Sequence, residues 1–389
     1  MKILYANPIF LNYRLPYYKK LNELFKGDFY IMYSVNRYKN RYDKLLEEII
    51  SVMGNNAIPY TKELLYNTYE RSFKKYNIEK GKKVPFTRGL LREIRKIKPD
   101  VLITEGFYQW TPLLILYSFI YRKPLFMGYE RTPHTERNCS IIKKIHRKIT
   151  NLFITGYLVN GSETEKYLLS LGIPKKKIHI GGMSADSKGL TSSINLLAPE
   201  DKNNFKSLYN KNKGLIYLFS GQIVKRKGLE YLLNAWEKHI KVHSDDNLII
   251  IGFGDLYTPL KDKYKEYKSI FFKGRIEYNE VYKYYAIADV FILPTIEDNW
   301  SLVIPEAMAC GLPVATSIYN GCYPELVKKD INGYVFDTYK QETILNALDY
   351  FHHVDLKEFG KKSIELEKPF NTENCALRTY NAIINTVKK

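Results

Sequence analysis

Cysteine is scarce in this chain, and the four that occur, Cys139, Cys310, Cys322 and Cys375, stand far apart with no CxxC pair. That spacing argues against a disulfide scaffold or a cysteine-based zinc site and fits a reducing cytoplasm. Long apolar runs are missing too. The longest, Thr111 to Tyr121, is about half of the roughly 20 residues needed to cross a bilayer, so no integral membrane segment is expected. The N-terminus reads Met1-Lys2-Ile3-Leu4-Tyr5-Ala6-Asn7-Pro8, a first strand meeting a turn, without the parts of a signal peptide. No short-period repeat or low-complexity tract is present. No GxGxxG follows the first strand, where Asn7-Pro8-Ile9-Phe10 stands instead, which argues against an NAD-dependent oxidoreductase.

What is present is a chain of 389 residues with 45% hydrophobic and 26% charged residues, an ordinary globular composition. That length exceeds what one core usually serves, so two domains are expected. The formal charge of +19 is unevenly placed. Residues 1–190 hold 34 Lys and Arg against 16 Asp and Glu, whereas the remaining 199 hold 26 against 25. The N-terminal half therefore favours an anionic partner. No DNA- or RNA-reading motif accompanies the charge, so nucleic acid is not the expected partner. An anionic leaflet is, because it attracts each nearby Lys or Arg by about 1 kcal/mol. The basic helix Arg88 to Lys98 and the clusters Lys143-Lys144 and Arg147-Lys148 supply such a surface. Taken singly, each reads as a solvated helix face.

Strand-like and helix-like runs alternate in both halves. KILYAN, FYIMYS, VLITEG and PLFMGYE read as buried strands in the first, with LPYYKKLNELF and FTRGLLREIRKIK as helices between them. LIYLFSG, NLIIIGFG, SIFFKG, VFILPT and PVATS form a second series. Repeated βα units imply parallel sheets covered by helices. The Gly181 to Gly189 stretch suits a hinge. The expected organisation is two Rossmann-like domains, an N-terminal one over 1–185 and a second over 186–370. A C-terminal helix over about 371–389 is expected to pack back on the first domain. Two doubly wound domains facing each other create a cleft where the carboxyl ends of their strands converge, a place suited to ligands.

The strand VFILPT is followed by Glu297 and Asp298, then by an apolar helix expected to begin near Ser301 or Leu302. Free N–H groups and the positive dipole end of a helix start favour phosphate. Glu306 lies eight positions after Asp298, about two helical turns, so both carboxylates can face one cleft. Paired hydroxyls flanking a pyrophosphate, as in a sugar nucleotide, match two carboxylates around a helix start. An N-cap acid and a solvated glutamate would look the same in isolation.

The segment is not isolated. The pieces Ser220-Gly221-Gln222-Ile223-Val224-Lys225-Arg226-Lys227-Gly228, Ile250-Ile251-Gly252-Phe253-Gly254-Asp255, Phe272-Lys273-Gly274-Arg275, Ala288-Asp289-Val290-Phe291-Ile292-Leu293-Pro294-Thr295 and Pro305-Glu306-Ala307-Met308-Ala309-Cys310-Gly311-Leu312-Pro313-Val314 follow in order. Their series resembles the retaining glycosyltransferases of family 4 (glycosyl transferases group 1), which have the GT-B fold. The resemblance implies that Glu306 holds the donor ribose and Asp298 the transferred sugar, with Glu297 as a competing acid. It places the Asn299, Trp300, Ser301 and Leu302 backbone at the sugar and distal phosphate, and Lys227, with Arg226 and the Gly221 turn, at the pyrophosphate. Arg275 and Ile276 would border the base. Two departures stand out: Asp298 where the family usually has glutamate, and Gln222 where it commonly has arginine. Glutamine can donate a hydrogen bond but brings no charge.

The N-terminal half matches less closely, as suits a variable acceptor. Asn12, Tyr13 and Arg14 follow the first strand and are acceptor-binding candidates; packing at a helix start is the plainer reading of that turn. The loop Gly128 to Thr135 collects an acid, a base, an imidazole and hydroxyls, and the resemblance sets Glu130 or His134 against the donor sugar as a catalytic candidate beside Lys227 and Asp298. His239 and His243 share a helical face without an apparent third ligand, and His352-His353 has no partner motif, so no metal is expected. No other cofactor is expected either. The expected activity is a retaining hexosyltransferase using a UDP- or GDP-linked sugar in cell-surface glycan synthesis, with a glycan or lipid-linked acceptor. Its expected place is cytoplasmic and peripheral, on the inner face of the cell membrane. A non-catalytic GT-B subunit is the alternative of a different class.

Overall fold

The computed structural model describes residues 1–9, 14–37, 43–68, 82–181, 184, 187–210 and 214–388. The strands are β1 (Ile3–Ala6), β2 (Phe29–Ser34), β3 (Ala57–Tyr60), β4 (Glu63–Thr68), β5 (Lys82–Thr87), β6 (Val101–Glu105), β7 (Leu125–Tyr129), β8 (Gly156–Val159) and β9 (Ile178–Ile180) in the N-terminal half. Then come β10 (Ile216–Ser220), β11 (Asn247–Ile251), β12 (Ile270–Gly274), β13 (Val290–Leu293), β14 (Val314–Ser317) and β15 (Gly333–Phe336).

Two parallel sheets result. The first has the order β3-β2-β1-β6-β7-β8-β9 and the second β12-β11-β10-β13-β14-β15, while β4 and β5 form a separate antiparallel pair. Strands such as Ile3–Ala6 and Val290–Leu293 are buried at every position, as expected of sheets covered on both faces. The expected α/β architecture of two Rossmann-like domains is what the chain adopts. The strand order reverses between β1 and β6 in one sheet and between β10 and β13 in the other. These switch points open crevices at the carboxyl ends of the strands.

Six strands escaped the pattern reading, among them the antiparallel pair β4 and β5. The other four, β3, β8, β9 and β15, are each only three or four residues long and lack the apolar runs that marked β1 and β13. The stretch expected to be one helix from Phe86 is instead the end of β5 followed, after Gly89, by the helix Leu90–Ile97.

One apolar cluster fills the second domain, and two flank the first sheet. The last helix, Thr372–Val387, returns to the first domain: Cys375, Ala376, Ala382 and Ile383 join its core, and Tyr17 Oη donates to Thr379 Oγ1 at 2.8 Å. No helix among the described residues is long and apolar enough to cross a membrane.

Candidate functional site

The two crevices face each other, and their contents meet. At the second switch point, the turn after β10 carries Lys227 and the loop after β13 carries Asp298. Gly228 permits this approach: it has φ +68°, and a Cβ there would lie 1.9 Å from the Pro294 carbonyl oxygen. Thr295 Oγ1 donates to the Arg226 carbonyl at 2.9 Å, tying the turn to the loop. Lys227 Nζ then donates to Asp298 Oδ2, with Arg226 Nη1 3.6 Å from the same oxygen. The Trp300 amide donates to Asp298 Oδ1 at 3.2 Å. Burial pushes the Asp298 carboxyl up, but the Lys227 ammonium outweighs it and holds the group below the usual carboxylate range. Asp298 is thus a committed anion, and Lys227 reaches it instead of standing alone for phosphate.

Glu297 has a different neighbour. It accepts from Arg137 Nη1 at 2.8 Å, across the domain boundary. His134 crosses the same boundary: its Nε2 lies 2.9 Å from the Ile296 carbonyl oxygen, and its ring packs on Tyr319. Gly321 lets the two loops close up, since a Cβ there would meet the Asn299 carbonyl oxygen at 2.1 Å and Thr132 at 2.8 Å. Sequence reading missed Arg137, which has no motif and is recognisable only once the domains face each other.

Glu306 sits on the short helix Val303–Ala309 and accepts from Tyr285 Oη at 3.2 Å. The helix begins one or two positions later than expected. Asn299 Oδ1 and Trp300 Nε1 are buried with no hydrogen-bond partner among the described residues, which costs about 1–3 kcal/mol each unless a bound group supplies one. The Trp300 ring is buried against Gly161 and Phe370, which leaves its backbone, the part the resemblance implicates, toward Asp298. Gln222 accepts from Arg226 Nη2 at 3.1 Å, so the glutamine orients the arginine beside Asp298. Arg275 is exposed and lies 3.9 Å from Glu277, whereas Ile276 packs against the core.

The opposite crevice is acidic and already paired. Arg14 is corrected here: it is buried, lies 3.1 Å from Glu105 Oε1 and donates to Tyr5 Oη at 2.9 Å, so it is not an open acceptor contact. Its charge balances Glu105, to which Tyr5 also donates. Asn12 and Tyr13 lie outside the described residues. Beside this group, a cavity of about 10 Å³, room for one water, is bordered by Glu105, Glu130 and Asn160. Burial pushes the Glu130 carboxyl up; Arg14 and Arg131 pull against it, while Glu105 and Asp298 push the same way. Asp298 of the other domain is among the charges that raise Glu130. Glu105 and Asn160 were missed, although an acid ending the strand VLITE next to β1 is a usable signal.

The structure also brings together His239, Asp246 and His352, far from any expected pairing. Asp246 Oδ2 lies 2.8 Å from His239 Nε2 and 2.7 Å from His352 Nε2, and Oδ1 accepts the Leu215 amide at 2.7 Å. The trio has the ligand types of a metal site. Here the same imidazole nitrogens face the carboxylate, and burial's upward push on Asp246 is outweighed by His239. The third partner that the sequence did not reveal comes from a residue 106 positions away.

Residues 200–363 match the family described as glycosyl transferases group 1. Among curated proteins, it is 33% identical over 141 residues to an uncharacterized glycosyltransferase of Methanocaldococcus jannaschii, covering 35% of this chain and 36% of that protein. It is 26% identical over 333 residues to the alpha-monoglucosyldiacylglycerol synthase of Acholeplasma laidlawii, covering 79% of this chain and 80% of that protein. Among solved structures, Anabaena Alr3699/HepE in complex with UDP superposes with a TM-score of 0.76 at 13% identity, over 99% of this chain and 100% of that one. The fold is GT-B, and Lys227, Asp298 and Glu306 all lie within the matched stretch.

Proposed function

We propose that this protein is a retaining glycosyltransferase that moves a hexose from a UDP- or GDP-linked donor to a lipid-linked or polysaccharide acceptor in cell-surface glycan synthesis. The observation that carries the reading is the buried Lys227–Asp298 pair at the second switch point. The likeness to an alpha-monoglucosyldiacylglycerol synthase, a relative whose name is that of a glycolipid-forming enzyme, supports a glycolipid acceptor. The UDP complex of Alr3699/HepE supports a nucleotide donor.

In this reading Glu306 accepts the ribose hydroxyls and Asp298 the hydroxyls of the transferred sugar. Lys227 turns from Asp298 to the diphosphate and stabilises its charge as it leaves. The anomeric carbon–oxygen bond to phosphate breaks, and the acceptor hydroxyl forms its bond on the same face. Its proton passes to the departing phosphate oxygen, and no covalent enzyme intermediate forms. The basic N-terminal half holds the enzyme at the inner leaflet.

The test is a screen of UDP-, GDP- and dTDP-sugars for binding and transfer, repeated with Lys227→Met. One donor that is turned over by the wild type and about 10²–10³-fold more slowly by the variant supports the reading. Nucleotide binding with neither hydrolysis nor transfer would instead identify a non-catalytic subunit.

A further inference from the structure

The helix Ile141–Asn151 is turned inside out. An amphipathic helix normally buries its apolar stripe, but this one buries Arg147 and Thr150. Arg147 donates to Glu136 Oε2 at 2.8 Å and lies over the Phe107 and Tyr167 rings at 5.5 and 5.6 Å. The guanidinium thus occupies the position facing the domain. The isoleucines turn outward, with Ile141, Ile142, Ile145 and Ile149 exposed by 69%, 76%, 51% and 55%, and Leu152 beyond the helix by 75%.

The helix Thr111–Tyr121 adds Phe119 and Ile120, exposed by 72% and 56%. The two elements neighbour each other through their flanking residues: the Tyr108 ring, just before one helix, stacks on His146 of the other at 5.2 Å, and Phe119 and Ile120 line a groove with Thr155, which follows the second helix. A cluster of large exposed apolar side chains on one helix face, with more on the neighbouring helix, marks an interaction site.

Charge decides the occupant. Lys143, Lys144, Lys148 and Arg122 are exposed on the same two helices or at their ends, and residues 106–129 and 137–162 contain no Asp or Glu. A second copy joined through a two-fold axis would set these lysines against one another. An anionic bilayer accepts both halves of the surface: isoleucines in the acyl boundary and ammonium groups at lipid phosphates.

We propose that the helices Ile141–Asn151 and Thr111–Tyr121 form an insertion face that seats the N-terminal domain in an anionic membrane surface. This rests on the peripheral placement proposed above and names the surface and its mode of attachment. The loop bearing Glu130 and His134 runs directly into the first of these helices, so a lipid-borne acceptor enters beside the cleft.

The experiment is vesicle flotation with phosphatidylglycerol–phosphatidylcholine vesicles, with UDP affinity measured in parallel. Ile142→Glu/Ile145→Glu should weaken vesicle binding roughly 100-fold or more while leaving UDP affinity unchanged. Lys143→Gln/Lys144→Gln/Lys148→Gln should weaken it by about fivefold per lysine at low salt and less at high salt. Native Trp110, Trp236 and Trp300 are buried, so Ile145→Trp gives a clean insertion signal: its emission should shift to the blue with vesicles.

Wild-type binding that the Ile142→Glu/Ile145→Glu variant retains within about threefold would overturn the insertion face and leave peripheral placement standing. Wild-type indifference to vesicles would overturn both, while UDP binding would still support the donor reading. A wild-type dimer in lipid-free sedimentation that this variant dissociates would reassign the face to self-association and overturn the proposal.

Discussion

The Lys227–Asp298 pair makes a prediction that depends on burial as much as on charge. Both side chains are about one-tenth exposed, so neither ion regains full hydration when the other is removed. Lys227→Met leaves Asp298 with Arg226 at 3.6 Å and the Trp300 amide. Asp298→Asn leaves the Lys227 ammonium without its carboxylate. Each single change should destabilise the donor domain by about 3 kcal/mol, the usual consequence of stranding one ion of a buried pair. The double variant Lys227→Met/Asp298→Asn removes both charges and should lose little more than either single one, a coupling of about 2–3 kcal/mol. Hydrogen exchange of the β10–β13 amides in urea reports this domain separately from the other.

The pH dependence has a definite sign. Asp298 is held low, so its stabilising pairing is complete above the unfolded carboxylate value of about 3.9 and lost as pH falls through the folded value. In Lys227→Met the principal downward influence is gone and burial raises the group. The stability gap between wild type and variant should therefore narrow on acidification. Additive single changes at pH 7, with coupling below about 0.5 kcal/mol, would refute the buried-pair argument.

Glu306→Ala should lower nucleoside diphosphate affinity at least tenfold by titration calorimetry; unchanged affinity would remove Glu306 from the donor site. Glu130 is held above the usual carboxylate range, so the kcat/KM profile should show an acidic limb there that Glu130→Gln abolishes. That variant should be slower by about 10²-fold or more, and full activity would exclude a catalytic part. Glu297→Gln should lose its Arg137 contact at under about 1 kcal/mol of stability, since both side chains are over a third exposed. A much larger loss of turnover than in Asp298→Asn would exchange the roles of the two acids. Asp246→Asn should destabilise by about 2–4 kcal/mol by leaving buried imidazole donors poorly matched. EDTA should leave the wild-type unfolding midpoint unchanged, and a marked fall would make the His239–Asp246–His352 trio a metal site.

Much of the donor half was legible because its signals are local. Strand–glycine turns, an acidic loop and an apolar helix occupy short contiguous stretches, from Gly221 to Gly228 and from Thr295 to Gly311. What escaped needs contacts between distant positions. Arg14 reads as a polar turn residue until Glu105, 91 residues away, claims it. Asp246 gains His352 only through tertiary packing. The helix Ile141–Asn151 shows the limit most clearly: its periodicity specifies two faces but not which one turns inward. The usual assumption buries the isoleucines, whereas the aromatic rings of Phe107 and Tyr167 and the Glu136 carboxylate make the inner position favourable for Arg147.

The central claim is that the loop and helix from Glu297 to Glu306, with Lys227, hold and cleave a nucleotide sugar. The most direct measurement is NMR of the product formed from an α-linked UDP- or GDP-hexose by the wild type and by Glu306→Ala. The account predicts an α-linked product from the wild type and only background release from the variant. A β-linked product would contradict the retaining mechanism, and equal turnover by both proteins would contradict the site itself.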